Sequence, residues 1–321
     1  MTSHYLRRLF LTGFMCLFAH VNANANTSVT IQLDWIYNAQ FAGLYQAIEQ
    51  GYFDQEGLDV TLLQAPKSVG VVESVVDAKD LRFGVSESSV LLAQRLAGQP
   101  IQALAAMLQA SPMGWMHLPK TGIDSIADFK GKRIGIHADG EKILGIALAK
   151  HGLSLSDVNF VEVGYDPQIL VDGQIDIMQA YYIDEFVELQ RITGDTGLIE
   201  LAGDNGYLAY SQVLFTTEDT VNQQPELVHS IISAMRKGWM YALDNKNETI
   251  DLILLKWKTD LNRDYQRASL QNLEALVRPQ GRDVMPWSNQ ARWEDMQELL
   301  LKYNLLSGEV NLQDFLYKPR G

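Results

Sequence analysis

Apolar and polar residues alternate near the start of the chain and then change to a helical spacing. Val29, Ile31 and Leu33 occupy every second position, which predicts a half-buried strand. Gly51 is placed to end the helix that follows, and Asp59–Leu63 is the next predicted strand. Between the first strand and Gly51, apolar side chains recur three and four positions apart and predict the buried face of that helix: Phe41, Leu44, Tyr45 and Ile48.

The same strand–loop–helix unit recurs further along the chain. Leu81–Val85 and Arg133–Ile136 are predicted strands, each followed by a predicted helix that a glycine ends. Strands that alternate with helices predict an α/β fold with mostly parallel sheets. After about residue 217 the pattern becomes helical, with predicted helices over Pro225–Asp244, Thr249–Trp257, Tyr265–Val277 and Gln290–Tyr303.

The order of these elements indicates two lobes joined by a two-strand hinge. Ser111-Pro112-Met113-Gly114 (111–114) interrupts the first half of the chain, and a strand over Gln212–Thr216 is the best candidate for a return crossing. We therefore expect one lobe of residues 26–110 plus 214–321 and a second lobe of residues 111–213.

The first 25 residues have the three-part layout of a secretory signal peptide. Arg7 and Arg8 precede an uncharged apolar run over Leu9–Ala19, and Ala-Asn-Ala at 23–25 supplies the small residues that signal peptidase requires. The run is too short for a permanent membrane anchor, and Cys16 lacks the small residue that precedes a lipidated cysteine. We expect export by the general secretory route and a periplasmic protein without a lipid anchor.

Charge and cysteine content exclude several classes of partner and chemistry. The net charge is −13, and loss of the leader removes two arginines and no acid. Such a chain is repelled by nucleic acid and by anionic membrane surfaces. The single cysteine lies in the leader, so the mature chain has no disulfide, no thiol nucleophile and no thiolate metal ligand.

Aromatic and acidic residues cluster where predicted strands end and helices begin, the edge where open α/β sheets bind ligands. Aromatic faces hold a planar ring, and carboxylates accept N–H bonds from amino or amidine groups. A sulfonate or nitrate would instead require arginine, lysine or free helix amides. We expect an amino-bearing heterocycle, bound by Asp34, Trp35, Tyr37, Asn38, Ser86, Glu87, Ser88, His137, Asp139, Tyr165, Tyr181, Tyr182, Asp184 and Glu185.

These residues also have simpler structural explanations. Acidic residues in a first helical turn, such as Asp139 and Glu141, complement the helix dipole without any ligand. A tyrosine or tryptophan at a strand end can cap a core, and an isolated histidine such as His137 is commonly held by a loop hydrogen bond. Trp35 and Tyr182 favour binding because each neighbours a carboxylate in a loop.

Motifs for catalysis and metal binding are scarce in the sequence, although a Ser/His/Asp triad, whose members meet only in space, stays open. The histidines of the mature chain do not have metal-ligand spacing, and there is neither a Gly-x-Ser-x-Gly elbow nor a P-loop. We therefore expect a protein that is not an enzyme and that carries no metal or cofactor. The histidines concerned are His117, His137, His151 and His229.

The segment LDWIYNAQFAGLYQAIEQGYFDQEGLDV, residues 33–60, resembles the opening of the NMT1/THI5-like family, which includes periplasmic receptors for thiamine pyrimidine precursors. The similarity continues through FGVSESSVLLAQRLAGQPIQALAAMLQASPMG, IADFKGKRIGIHADG and DIMQAYYIDE. It covers about residues 31–185 and is weak in the helical C-terminal part.

The resemblance implies the type II periplasmic-binding-protein architecture, with the ligand held between the lobes. Trp35 and one or more tyrosines would stack on a pyrimidine, while acidic and amide side chains would be its polar partners. The tyrosines concerned are Tyr37, Tyr165, Tyr181 and Tyr182, and the polar partners are Asp34, Asn38, Glu87, Asp139 and Glu185.

By resemblance, the protein would be a monomer that passes a thiamine-related aminopyrimidine, such as a formylaminopyrimidine, to a membrane ABC permease. Relatives fused to sensor kinases and cyclases leave open a receptor that feeds a membrane sensor. The fungal branch builds the pyrimidine from pyridoxal phosphate and its own histidine, and it carries a cysteine-rich motif. Phe41 stands where the opening motif often has histidine, and is included among the ligand-binding candidates. With no cysteine in the mature chain either, synthase chemistry is not expected.

Overall fold

The computed structural model describes residues 25–137, 140–194, 196–258, 260–279 and 288–318. The predicted signal peptide lies outside these residues except for its last position, and Asp139 also lies outside them. Within the described residues the strands form two five-stranded sheets with helices around them, which confirms the predicted α/β class. In the same part of the chain, no helix is both long enough and apolar enough to span a bilayer.

The two sheets share one arrangement of strand directions. In chain order the strands are β1 (Thr27–Gln32), β2 (Leu58–Leu63), β3 (Arg82–Ser86), β4 (Ile101–Leu108), β5 (Met113–His117), β6 (Arg133–Ile136), β7 (Asn159–Glu162), β8 (Ile177–Tyr181), β9 (Leu198–Leu201) and β10 (Ser211–Thr217). The first sheet has the order β2-β1-β3-β10-β4 and the second β7-β6-β8-β5-β9. In each sheet the fourth strand in this order, β10 or β5, is antiparallel to both neighbours, and the other four strands run the same way. The prediction of mostly parallel sheets is therefore confirmed.

Helices pack around both sheets and make up most of the described C-terminal part. They are α1 (Ala42–Glu49), α2 (Tyr52–Gln55), α3 (Val71–Val76), α4 (Ser88–Leu96), α5 (Glu141–Lys150), α6 (Gln168–Val171), α7 (Glu185–Thr193), α8 (Glu218–Gln223), α9 (Pro225–Asp244), α10 (Lys246–Leu252), α11 (Arg263–Val277), α12 (Gln290–Lys302) and α13 (Leu312–Phe315). α9 has the predicted bounds, while the helix predicted over Thr249–Trp257 is the end of α10 followed by a π-helical turn, Ile253–Trp257.

The chain passes between the sheets twice, at residues 109–112 and at residues 202–210. The two crossings are adjacent, because Leu108 at the end of β4 pairs with Ser211 at the start of β10. We call the part built around the first sheet the first lobe and the part built around the second sheet the second lobe. The residue limits given above for the lobes stay a prediction, and the limit between 213 and 214 falls inside β10.

Close packing of α1 against α9 fixes the segment that follows β1. A Cβ atom at Gly238 would overlap the carbonyl oxygen of Gly43, so the two helices approach to a distance that only glycine permits there. Phe41, in the 3-10 turn before α1, and Tyr45, on α1, both belong to the predicted apolar face and are fully buried. Asn38 caps the 3-10 turn before α1 by accepting a hydrogen bond from the Gln40 amide at 2.9 Å. The loop between β1 and α1 is therefore anchored at its helical end.

Candidate functional site

A cavity of about 160 Å³ lies between the two lobes, at the edge where the parallel strands end. One buried water occupies about 10–15 Å³ on the same measure, so the space is large enough for a small organic molecule. Residues from both lobes form its walls: Asp34, Trp35, Gln40, Glu87, His137, Tyr165, Gln179, Tyr181, Ile183, Asp184, Glu185 and Ser211.

Eight of the predicted ligand-binding residues line this cavity. They are Asp34, Trp35, Glu87, His137, Tyr165, Tyr181, Asp184 and Glu185. Four lining residues were not predicted: Gln40, Gln179, Ile183 and Ser211. Gln179 and Ser211 lie within strands and Gln40 within the turn before α1, where local sequence offers no sign of a ligand.

Six predicted residues do not line the cavity, because their side chains are used in packing or capping. The Tyr37 hydroxyl donates to the Leu62 carbonyl at 2.8 Å, and its ring packs against Trp257 with centroids 5.4 Å apart. Asn38 is the cap described above, and Phe41 is fully buried in the core.

The other three are serines and a tyrosine with partners of their own. Ser86 is buried within β3. The Ser88 hydroxyl donates to the Tyr210 carbonyl at 2.9 Å, and the Tyr182 ring stacks on Phe186 at 5.6 Å. These residues therefore support the walls of the site from outside it.

Three aromatic rings meet at the cavity from opposite lobes. Trp35 follows β1 and lies edge-on to Tyr165, which follows β7, with ring centroids 6.2 Å apart. The His137 ring lies 4.4 Å from the Tyr165 ring. Trp35 is 40% exposed and Tyr165 is 59% exposed, so neither ring is a core plug. Flat apolar faces that remain accessible in this way can stack on a planar ligand.

Asp34 and Glu87 form the acidic wall of the first lobe. Burial raises the pKa of Asp34 to about 7, and burial raises the pKa of Glu87 to about 8. A hydrogen bond from Ser211 works against the rise at Glu87, while the charge of Asp34 adds to it. The Oε2 atom of Glu87 is buried and has no hydrogen-bond partner. A buried acceptor without a partner is costly, so this oxygen is suited to a donor that the ligand supplies.

Asp184 and Glu185 form the acidic wall of the second lobe. Burial raises the pKa of Asp184 to about 7, and the charge of Glu185 raises it further. The pKa of Glu185 is also raised by burial, although its Oε2 atom accepts a hydrogen bond from the Tyr181 amide at 2.8 Å. The Tyr265 hydroxyl donates to Oδ1 of Asp184 from α11 in the first lobe.

No described residue that lines the cavity is a lysine or an arginine. Four carboxyl groups therefore share a small space without a cationic side chain, which disfavours an anionic ligand and favours one with N–H donors or positive charge. Across the described part of the chain, no group of three or more His, Cys, Asp or Glu side chains is arranged to hold a metal ion.

Gln179 positions the His137 loop on the second-lobe side. Its Oε1 atom accepts a hydrogen bond from the His137 amide at 3.0 Å. A Cβ atom at Gly140 would overlap the Gln179 amide, so a larger residue at the start of α5 would displace that side chain. The His137 Nε2 atom lies 3.3 Å from the Gly164 carbonyl, which links the loop after β6 to the loop after β7.

The two sheets, the double crossing and the cavity between the lobes define a two-lobed α/β binding protein. The chain belongs to the NMT1/THI5-like family, which matches residues 38–249, about two thirds of its length. The family resemblance noted in the sequence is thereby confirmed.

Relatives of this chain include both binding proteins and enzymes. The formylaminopyrimidine-binding protein of Halalkalibacterium halodurans is 25% identical over 286 residues, which are 85% of this chain and 86% of that protein. The riboflavin-binding protein RibY of Chloroflexus aurantiacus is 25% identical over 303 residues, 89% of this chain and 83% of its own. A 4-amino-5-hydroxymethyl-2-methylpyrimidine phosphate synthase of Legionella pneumophila is 25% identical over 236 residues, 72% and 74% of the two chains.

A solved structure confirms the architecture. The periplasmic aliphatic sulphonate binding protein SsuA from Escherichia coli has a TM-score of 0.70 over 93% of this chain and 94% of its own. Its sequence identity is 12%, which establishes the shared fold and nothing about the ligand. The fold is therefore that of periplasmic solute-binding proteins, and the binding-protein relatives support a solute-binding role.

The raised carboxyl pKa values predict how stability depends on pH. A folded protein that keeps protons which the unfolded chain has released loses stability as pH rises, here between about pH 4 and pH 8. We expect the melting temperature of the ligand-free protein to fall from pH 5 to pH 8. Glu87→Gln, which stays neutral, should reduce that fall by a few degrees, corresponding to about 1 kcal/mol or more.

Glu298→Gln is the matched control, because Glu298 is exposed on α12. Calorimetric melting of the three proteins at pH 5, 6, 7 and 8 makes the comparison. Equal pH profiles for wild type and Glu87→Gln would show that Glu87 is not held in the protonated form.

Proposed function

We propose that the protein is a periplasmic solute-binding protein that captures a thiamine-related aminopyrimidine, such as a formylaminopyrimidine, and delivers it to an ABC permease. The observation that carries the proposal is the cavity itself, in which aromatic rings accompany four carboxyl groups and no lysine or arginine lines the described walls. An aminopyrimidine matches both features, because it is flat and its amino group donates hydrogen bonds to carboxylates.

The geometry of the cavity supports an assignment of partners to the ligand. The pyrimidine ring would lie against Trp35 and Tyr165, and its N–H donors would reach the unpaired Oε2 atom of Glu87. Asp34, in the same wall, would accept a second donor or balance a protonated ring nitrogen. The formylaminopyrimidine-binding relative supports this ligand class, whereas the riboflavin-binding relative shows that the family also accommodates another ring system.

Binding without catalysis is the favoured form of this proposal, even though some relatives are synthases. Pyridoxal phosphate is held as a Schiff base by lysine, and none of the described lining residues is a lysine. The family position often held by histidine is Phe41, which is fully buried and outside the cavity. These observations favour a receptor over an enzyme. Delivery to a permease and signalling to a membrane sensor would use the same ligand site.

A ligand titration tests the proposal. A formylaminopyrimidine at 100 times its dissociation constant should stabilise the folded protein by about 2.7 kcal/mol, because it binds the folded state alone. Differential scanning calorimetry with the formylaminopyrimidine, riboflavin and an alkanesulfonate compares three ligand classes. A shift with the sulfonate and none with the pyrimidine would reject the assignment.

Trp35→Ala tests the stacking wall. Because Trp35 is 40% exposed, its loss should leave the melting temperature of the ligand-free protein nearly unchanged while removing most of the ligand-induced shift. Trp293→Ala provides the contrast, since Trp293 is fully buried and its truncation should cost about 3–5 kcal/mol. Unfolding of the Trp35→Ala variant would instead assign Trp35 to the core.

A further inference from the structure

Asp184 occupies a helix cap position but does not use its side chain as a cap. It is the N-cap residue of α7, where aspartate normally accepts a hydrogen bond from an amide of the first turn. Here no side-chain capping bond is present, and the carboxylate instead accepts from the Tyr265 hydroxyl. The local stabilisation that a cap would provide is replaced by a bond to the opposite lobe.

Tyr265 is held in place by its own helix. Its amide donates to the Asn262 side chain at 2.9 Å, the N-cap bond of α11. The adjacent Gln266 is buried, and its Oε1 atom accepts from the Ala39 amide at 2.7 Å. Leu270 and Leu273 of α11 belong to the apolar core that contains β1 and α1. Tyr265 therefore reaches Asp184 from a rigid part of the first lobe.

A second hydrogen bond joins α11 to the turn that precedes α7, and α11 is again the donor. The Asn272 side chain donates to the Tyr182 carbonyl at 2.7 Å. Tyr265 and Asn272 are seven positions apart and lie on one face of α11. Between their partners, Ile183 is 3% exposed and packs in the core of the first lobe, although it follows β8 of the second sheet. We call residues 182–184 the interlobe turn.

We propose that Tyr265 is a positioning residue of the ligand site, which holds Asp184 in the cavity wall and fastens the interlobe turn to the first lobe. The role of Asp184 toward a ligand rests on the proposed function. Tyr265 occupies Oδ1 of Asp184 and leaves Oδ2 for the ligand. Separation of the lobes breaks the Tyr265 bond and frees the carboxylate to turn away, so lobe closure and completion of the acidic wall occur together.

Tyr265→Phe removes the one hydroxyl that makes this bond and keeps the ring. Tyr241→Phe is the matched control, because its hydroxyl also donates to a carboxylate, Glu248, at 3.0 Å, away from the cleft. Hydrogen bonds to charged groups are worth roughly a tenfold or larger factor in an equilibrium constant. We expect Tyr265→Phe to weaken binding of the formylaminopyrimidine about tenfold, and Tyr241→Phe to leave it unchanged.

A double-mutant cycle separates positioning from a general structural effect. If Tyr265 acts through Asp184, then Tyr265→Phe should weaken binding far less in an Asp184→Asn background than in the wild type. Titration calorimetry supplies the four dissociation constants. Additive effects, or an unchanged dissociation constant for Tyr265→Phe, would overturn the positioning role.

A measurement on the ligand-free protein tests the fastening of the two lobes whatever the ligand is. Small-angle scattering should give a larger radius of gyration for Tyr265→Phe and for Asn272→Ala than for wild type and Tyr241→Phe. Equal radii in all four proteins would overturn the role of the interlobe turn. If the pyrimidine fails to bind the wild type while the radii differ as expected, the proposed function fails and the fastening of the lobes stands.

Discussion

The confinement of four carboxyl groups in one small cavity is the constraint on which the rest of the site depends. Removing a carboxylate from water costs several kcal/mol unless a donor or a cation replaces the lost hydration. Burial raises the pKa values of Asp34, Glu87 and Asp184 to about 7 to 8, so these groups are only partly ionised at neutral pH. A ligand that brings N–H donors supplies the hydrogen bonds that the buried carboxylates lack, and its binding is then linked to release of those protons.

The fold creates this constraint by bringing strand ends from two sheets to one place. Asp34 and Glu87 follow parallel strands of the first sheet, whereas Asp184 follows a strand of the second. Neither lobe alone holds all the carboxyl groups, so the acidic cavity exists only when the lobes are together. The aromatic pair Trp35 and Tyr165 is likewise divided between the lobes. Under the proposed function, a site divided in this way would couple ligand capture to lobe closure.

The local sequence predicts those parts of the fold and site that depend on the spacing of apolar residues along the chain. The ends of β1 and β3, and with them Asp34, Trp35 and Glu87, follow from alternation and capping. The strand Ile101–Leu108 was missed because its sequence, IQALAAML, is apolar and buried except at Gln102, and such a run does not distinguish strand from helix. Tyr37 is predicted to bind the ligand because it lies in the loop after β1. In the structure its hydroxyl instead donates a hydrogen bond to the Leu62 carbonyl of β2. Tyr265 could not be predicted, since its contact with Asp184 joins residues 81 positions apart.

Identification of the natural ligand tests whether the acidic and aromatic cavity binds an amino-bearing ring. Native mass spectrometry of the protein isolated from its native host, followed by dissociation and exact mass of the released molecule, gives that identity without a choice of candidates. We expect a small planar heterocycle that carries at least one amino group. Release of a sulfonate, a nitrate or another anion without N–H donors would contradict it, because the described walls of the cavity hold four carboxyl groups and no lysine or arginine.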